Sequence, residues 1–240
     1  MATLVLDIET VGTSWDAFDS LTEKTLTRWI NKTSVNEVER RGRIETLKNE
    51  LGLSPLTGEI VALGVYDIER ELGAVYIQGE VGSETEFDGF AIKSCSEKEI
   101  LEDFWESARS YDVFVTFSGR AFDLPFVLHR SVANGVMPSV EVMKKRYLVQ
   151  QSAPYHIDLQ EELTFYGAMQ KRLSLHMFCQ AYGIESSKIN TDGEKITELF
   201  KEKKYKEIAE YNAGDVRAIL ALYRKWYQYL APYSFKERLQ

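Results

Sequence analysis

The sequence has little cysteine. Two occur in 240 residues, Cys95 and Cys179, far apart and at no zinc-binding spacing. That excludes a disulfide framework, and a reducing, cytoplasmic compartment is the simplest setting. Histidine is also scarce, at three residues without ligand spacing, and His156 reads as a structural hydrogen-bonding residue. No apolar run approaches the roughly 18 residues of a membrane span, and no basic-then-apolar leader opens the sequence. Neither a membrane nor a secreted protein is expected. An excess of positive charge is missing too: 29 Lys and Arg face 37 Asp and Glu, for a net charge of −8. A protein that coats nucleic acid through bulk charge is therefore excluded, but an enzyme that grips a few phosphates and brings metal ions is not. With no repeat, linker or composition break, one domain over residues 1–240 is expected. What is present suits an ordinary globular chain, 44% hydrophobic and 28% charged, with enough length for a sizeable core.

The chain is organised around its first strand, expected over Thr3–Thr10. The run Leu4 to Leu6 reads as buried, and Asp7 and Glu9 follow with Ile8 between them. Alternation puts both carboxylates on one face, roughly 6–7 Å apart along the backbone. Such a pair repels unless a cation lies between, and a hard divalent ion is the usual remedy. The pair alone also fits a strand end emerging into solvent.

Residues 11–53 read as a helical insertion, with one helix around Leu26, Trp29 and Ile30 and another from Val35 to Leu51. Its start beside the acid pair suggests a cover or wall over that site, and a helical decoration packed elsewhere fits equally well. Residues 59–67 and 72–77 read as a hairpin, and 89–93 as a further strand. Ser96 and Glu99 form a capping box that opens a helix carrying Ile100, Leu101, Phe104 and Trp105. Val113–Phe117 reads as an inner strand. Asp123 is placed to cap the helix Leu124–Ala133, and helix-like segments dominate after Ser139. This order suggests a mixed sheet with helices on its faces, an α/β fold. Two further acids bear on the site. Asp123 alone is accounted for as a helix cap. Tyr211 and Asp215, at i and i+4, share a helix face and alone read as a polar pair.

Asp-x-Glu on strand one, Phe-Asp after a central strand and Tyr-x-x-x-Asp on a late helix stand in order. With Leu6–Thr10, Gly58–Gly64, Phe122–Phe126 and His156–Leu159, they resemble the DEDDy branch of the DnaQ-like, ribonuclease H-like 3′–5′ exonucleases. The likeness, over roughly residues 1 to 225, is in particular to predicted free-standing exonucleases related to the proofreading domain of family B DNA polymerases. The sister branch has histidine five residues before the last aspartate, where this chain has Glu210.

The resemblance implies a ribonuclease H-like mixed sheet flanked by helices, with the insertion after strand one. It implies two Mg²⁺ or Mn²⁺ ions held by Asp7, Glu9, Asp123 and Asp215, with Asp7 as the bridge. Tyr211 would orient or help deprotonate the attacking water. Thr10, Ser118, Arg120 and Phe122 are the expected substrate contacts; the family often has asparagine where Ser118 stands. The implied activity is metal-dependent 3′–5′ hydrolysis of single-stranded nucleic acid, DNA ahead of RNA. An exoribonuclease with the same site is the near alternative. A catalytically silent binding module on the same fold is another, against which all four carboxylates and Tyr211 are present. A phosphatase acting on small molecules is a more distant one.

Overall fold

The computed structural model describes residues 1–82, 85–171, 173–185 and 193–239. Strand β1 (Thr3–Gly12) outruns its apolar stretch. Its alternation sends Leu4, Leu6 and Ile8 into one core layer, and Val5 and Val11 into the other. Asp7 and Glu9 share the Val5 side.

The chain then leaves the sheet for two helices. Asp19 caps α1 (Ser20–Thr33) by accepting from the Thr22 amide, and Asn36 caps α2 (Glu37–Asn49) by accepting from the Glu39 amide. The apolar positions that marked these helices are mostly not buried: Ile30 is, whereas Trp29, Val35 and Val38 are exposed. Only Thr27 and Ile30 are buried in α1, and no residue is in α2. The pair forms an arm standing off the body. Its base is tied down where the Thr13 amide donates to the Thr57 carbonyl at 2.8 Å and Thr10 Oγ1 to the Gly52 carbonyl at 2.7 Å.

β2 (Gly58–Asp67) and β3 (Leu72–Gln78) form the expected hairpin, followed by β4 (Glu86–Phe87) and β5 (Phe90–Cys95). The capping box at Ser96 and Glu99 opens α3 (Glu97–Ala108), which buries Ile100, Leu101, Phe104 and Trp105. Next come β6 (Val113–Thr116), α4 (Asp123–Ala133), β7 (Tyr155–Asp158), α5 (Leu159–Leu163) and α6 (Leu175–Ala181). After them, α7 (Gly193–Lys201), α8 (Tyr205–Tyr229) and α9 (Tyr233–Leu239) close the chain. Among the described residues the helix-rich C-terminal stretch thus contains one strand, β7, which pairs with β6 at the sheet edge. Sheet order is β4-β5-β3-β2-β1-β6-β7, mixed as expected. α3 and α4 pack on the Leu4/Leu6/Ile8 face, and α8 packs on the Val5 face. Among the described residues no helix is long and apolar enough to cross a membrane.

Candidate active site

β1 pairs in parallel with β6 only from Thr3 to Val5. Beyond Val5 that edge of β1 would leave backbone groups unpaired, a cost that must be met in a buried site. β6 ends at Thr116, and the chain turns through Ser118, Gly119 and Arg120 into α4. The turn delivers Asp123 to the gap, where its Oδ1 accepts from the Ile8 amide at 3.2 Å, between the two acids of β1. Phe122, not Asp123, holds the cap position of α4, and the Asp123 carboxylate is used across the sheet instead. The end of a strand where the sheet order changes is where α/β folds place ligands.

The turn itself is clamped by Asp158, at the start of α5. Its carboxylate accepts from the amides of Ser118 (3.0 Å), Arg120 (2.9 Å), Gln160 (3.0 Å) and Glu161 (3.3 Å). Ser118 sits at φ +65°, a left-handed conformation that asparagine adopts more readily than serine.

On the other side of β1, α8 lies directly on the sheet. Gly64, paired with Asp7 across β1 and β2, makes this approach possible. A Cβ there would sit 2.2 Å from Asn212 Oδ1 and 2.8 Å from Val216 Cγ2. The buried Asn212 donates from Nδ2 to Asp7 Oδ2 at 2.9 Å and to Glu9 Oε1 at 3.4 Å. One turn on, Asp215 completes the group: carboxylate oxygens of Asp7, Glu9 and Asp215 lie within 4.8 Å of one another. Just after Glu9 the β1–β2 register slips, so that Glu9 pairs with Ala62 and Thr10 with Ile60. Val61 and Ala62 both turn into the α8 layer at this bulge, a device common beside active sites.

Burial raises the Asp7 carboxyl well above the ordinary range, and the charges of Asp123, Glu9 and Asp215 add to it. Glu9 is raised by burial and then by Asp215. Asp123 is raised by burial, with Asp158 adding to it. Tyr211 donates its phenol proton to Asp215, and burial followed by that carboxylate's charge pushes the phenol well up. Among the described residues, no Lys or Arg forms an ion pair with Asp7, Glu9 or Asp123. An all-oxygen donor set with excess negative charge fits a hard divalent cation such as Mg²⁺ or Mn²⁺.

Over residues 74–234 the sequence matches a family described as predicted 3′–5′ exonucleases related to the exonuclease domain of PolB. The chain belongs to this family. The matched stretch includes Asp123, Tyr211 and Asp215, while Asp7 and Glu9 precede it. The fold is similar to that of the family B DNA polymerase from the hyperthermophilic archaeon Pyrobaculum calidifontis. The TM-score is 0.58 at 17% identity, over 94% of this chain and 24% of the polymerase. The chain thus spans about a quarter of that polymerase's length. The fold is the expected ribonuclease H-like one. No curated protein matches the sequence.

For this exonuclease family member, then, the structure brings Asp7, Glu9, Asp123, Tyr211 and Asp215 to one place. The four expected substrate contacts are engaged within the protein. Thr10 is tied to the base of the arm. The Ser118 hydroxyl donates to Gln160 Oε1 at 3.0 Å. The Arg120 guanidinium turns inward to the Lys144 carbonyl at 2.7 Å. Phe122 packs on Phe126 with ring centroids 5.4 Å apart. Sequence reasoning passed over Asn212. Its signal was available: a polar residue in the otherwise apolar stripe Ile208, Ala209, Asn212, Ala213, Val216 of α8.

Proposed function

We propose that the chain, as one catalytic unit over residues 1–240, is a metal-dependent exonuclease that removes nucleotides from the 3′ end of single-stranded nucleic acid, DNA ahead of RNA. The observation that supports this reading best is the carboxylate group of Asp7, Glu9 and Asp215, gathered within 4.8 Å of one another. Asp7, Glu9, Asp123 and Asp215 would hold two divalent ions. Bound there, the ions would supply charge neutralisation for an anionic phosphodiester and a lowered pKa for the attacking water. The chain's own residues fix the rest. Asn212 holds the Asp7 and Glu9 carboxylates in one orientation, and Asp158 holds the turn that presents Asp123. The Tyr211 phenol, kept protonated, is a hydrogen-bonding group for the water and not a base.

The test is digestion of DNA and RNA strands labelled at either end, with Mn²⁺ or with EDTA. Shortening from the 3′ end in Mn²⁺ alone is expected. Full turnover in EDTA, or shortening from the 5′ end, would sink the reading. The DNA and RNA arms decide the sugar preference.

A further inference from the structure

We propose that the outer side of α1 is a second contact surface for the same nucleic acid, gripping its phosphates and one base several nucleotides upstream of the 3′ end. This rests on the exonuclease reading above.

The first support is charge. The two arm helices, residues 20–33 and 37–49, hold seven Lys and Arg against four Glu, a net +3. The whole chain carries −8, so the remainder carries −11. With Asp16, Asp19 and Glu50 counted, the whole arm, residues 13–57, is neutral, set apart from a body that carries −8 and would repel a polyanion.

Within the arm the two helices differ. The cations of α2 are taken up locally: Arg40 and Arg41 pair with Glu37, Arg43 with Glu39, and Lys48 with Glu45. In α1, Lys24, Arg28 and Lys32 are exposed, and among the described residues none has an ion pair. Spaced at i, i+4 and i+8, they form one stripe with about 6 Å between neighbours along the axis. Trp29 lies beside this stripe with 68% of its surface exposed. Basic side chains interleaved with an open aromatic ring form the platform on which single strands bind, through phosphate contacts and base stacking.

Position agrees. The arm is anchored at Gly12, Gly52 and Thr57, so its base lies roughly three residues, or 10 Å, along the strand from Glu9. α1 extends about 21 Å, enough to follow several nucleotides.

The test measures binding of a labelled single strand of about 20 nucleotides to the full chain in EDTA, by anisotropy across a salt series. For Lys24→Ala/Arg28→Ala/Lys32→Ala, Kd should rise on the order of 10-fold at 0.1 M salt. The slope of log K against log salt should shrink by about 2, the value for three lost phosphate contacts to a single strand. Trp29→Ala should weaken binding on the order of 10-fold without changing the slope. Both defects should diminish as the strand is shortened toward a trinucleotide. Wild-type Kd and slope in the triple variant would overturn the proposal and leave this face to a protein partner. If the wild-type chain neither cleaves nor binds any strand, the exonuclease reading itself fails, a result distinct from a variant that merely matches the wild type.

Discussion

Gly64→Ala should damage the enzyme without touching any acid. The added methyl would lie 2.2 Å from Asn212 Oδ1 and 2.8 Å from Val216 Cγ2, both on α8. Asn212 cannot swing aside without giving up its bonds to Asp7 and Glu9. The helix must therefore lift from the sheet, carrying Tyr211 and Asp215 with it. Overpacking of this kind costs about 1–3 kcal/mol, partly offset by the roughly 0.5–1 kcal/mol that alanine gains over glycine in a strand. A net loss of about 1–2 kcal/mol corresponds to a Tm lower by roughly 2–8 °C at this chain length. Turnover should suffer more, because displacing a group by about 1 Å can cost on the order of 10²-fold. The assay is thermal unfolding beside single-turnover cleavage of a labelled strand at saturating Mn²⁺. Gly64→Ala/Asn212→Ala removes the closest contact and should regain part of the stability but not the rate, since the donor to Asp7 and Glu9 is gone. A single variant with wild-type Tm and wild-type rate would refute the close-approach argument.

Three other outcomes follow from the same geometry. Tyr211→Phe should lower turnover on the order of 10²-fold with little change in Mn²⁺ dependence, and Asp7→Ala should lower it further; a defect in Tyr211→Phe that more Mn²⁺ rescues would move the tyrosine into the metal site. Burial raises Asp7, Glu9 and Asp123 in the fold, with the charges of neighbouring acids adding to it (Asp158 in the case of Asp123), so their protonated forms stabilise it below about pH 4, and that contribution is lost as pH rises through their folded values. In EDTA, Asp7→Asn should therefore gain stability over the wild type as pH is raised toward neutrality; a pH-independent gap in Tm would contradict this. Asp158→Ala strands four amides and should cost about 1–3 kcal/mol with a loss of turnover, read by melting and cleavage together; unchanged turnover would mean that the turn holds Asp123 unaided.

Local pattern carried much of this site. Alternation on β1 put Asp7 and Glu9 on one face, and helical spacing put Tyr211 with Asp215, because both follow from the repeat of a single element. Asp123 was harder. Its cap reading came from the residues around it, whereas its partner is the amide of Ile8, 115 residues away in sequence. No local pattern encodes that bond. The helices of the insertion were visible, but periodicity does not say whether an apolar stripe finds something to pack on; Trp29 and Val38 did not. Asn212 failed for the opposite reason. It is an unspecified position inside the Tyr-x-x-x-Asp spacing, and its own signal is the break it makes in the buried stripe of α8.

The anchoring of the arm also bears on how the chain folds. The pairing of Gly12 with Gly58 joins two strands across an excursion of roughly 45 residues, where a tight turn would use about four. Closing the longer loop costs about 2 kcal/mol more in chain entropy. Helices α1 and α2, running out and back, bring residues 13 and 57 together over a much shorter effective contour. An arm that adds few buried residues to the core can thus hasten the pairing of β1 with β2.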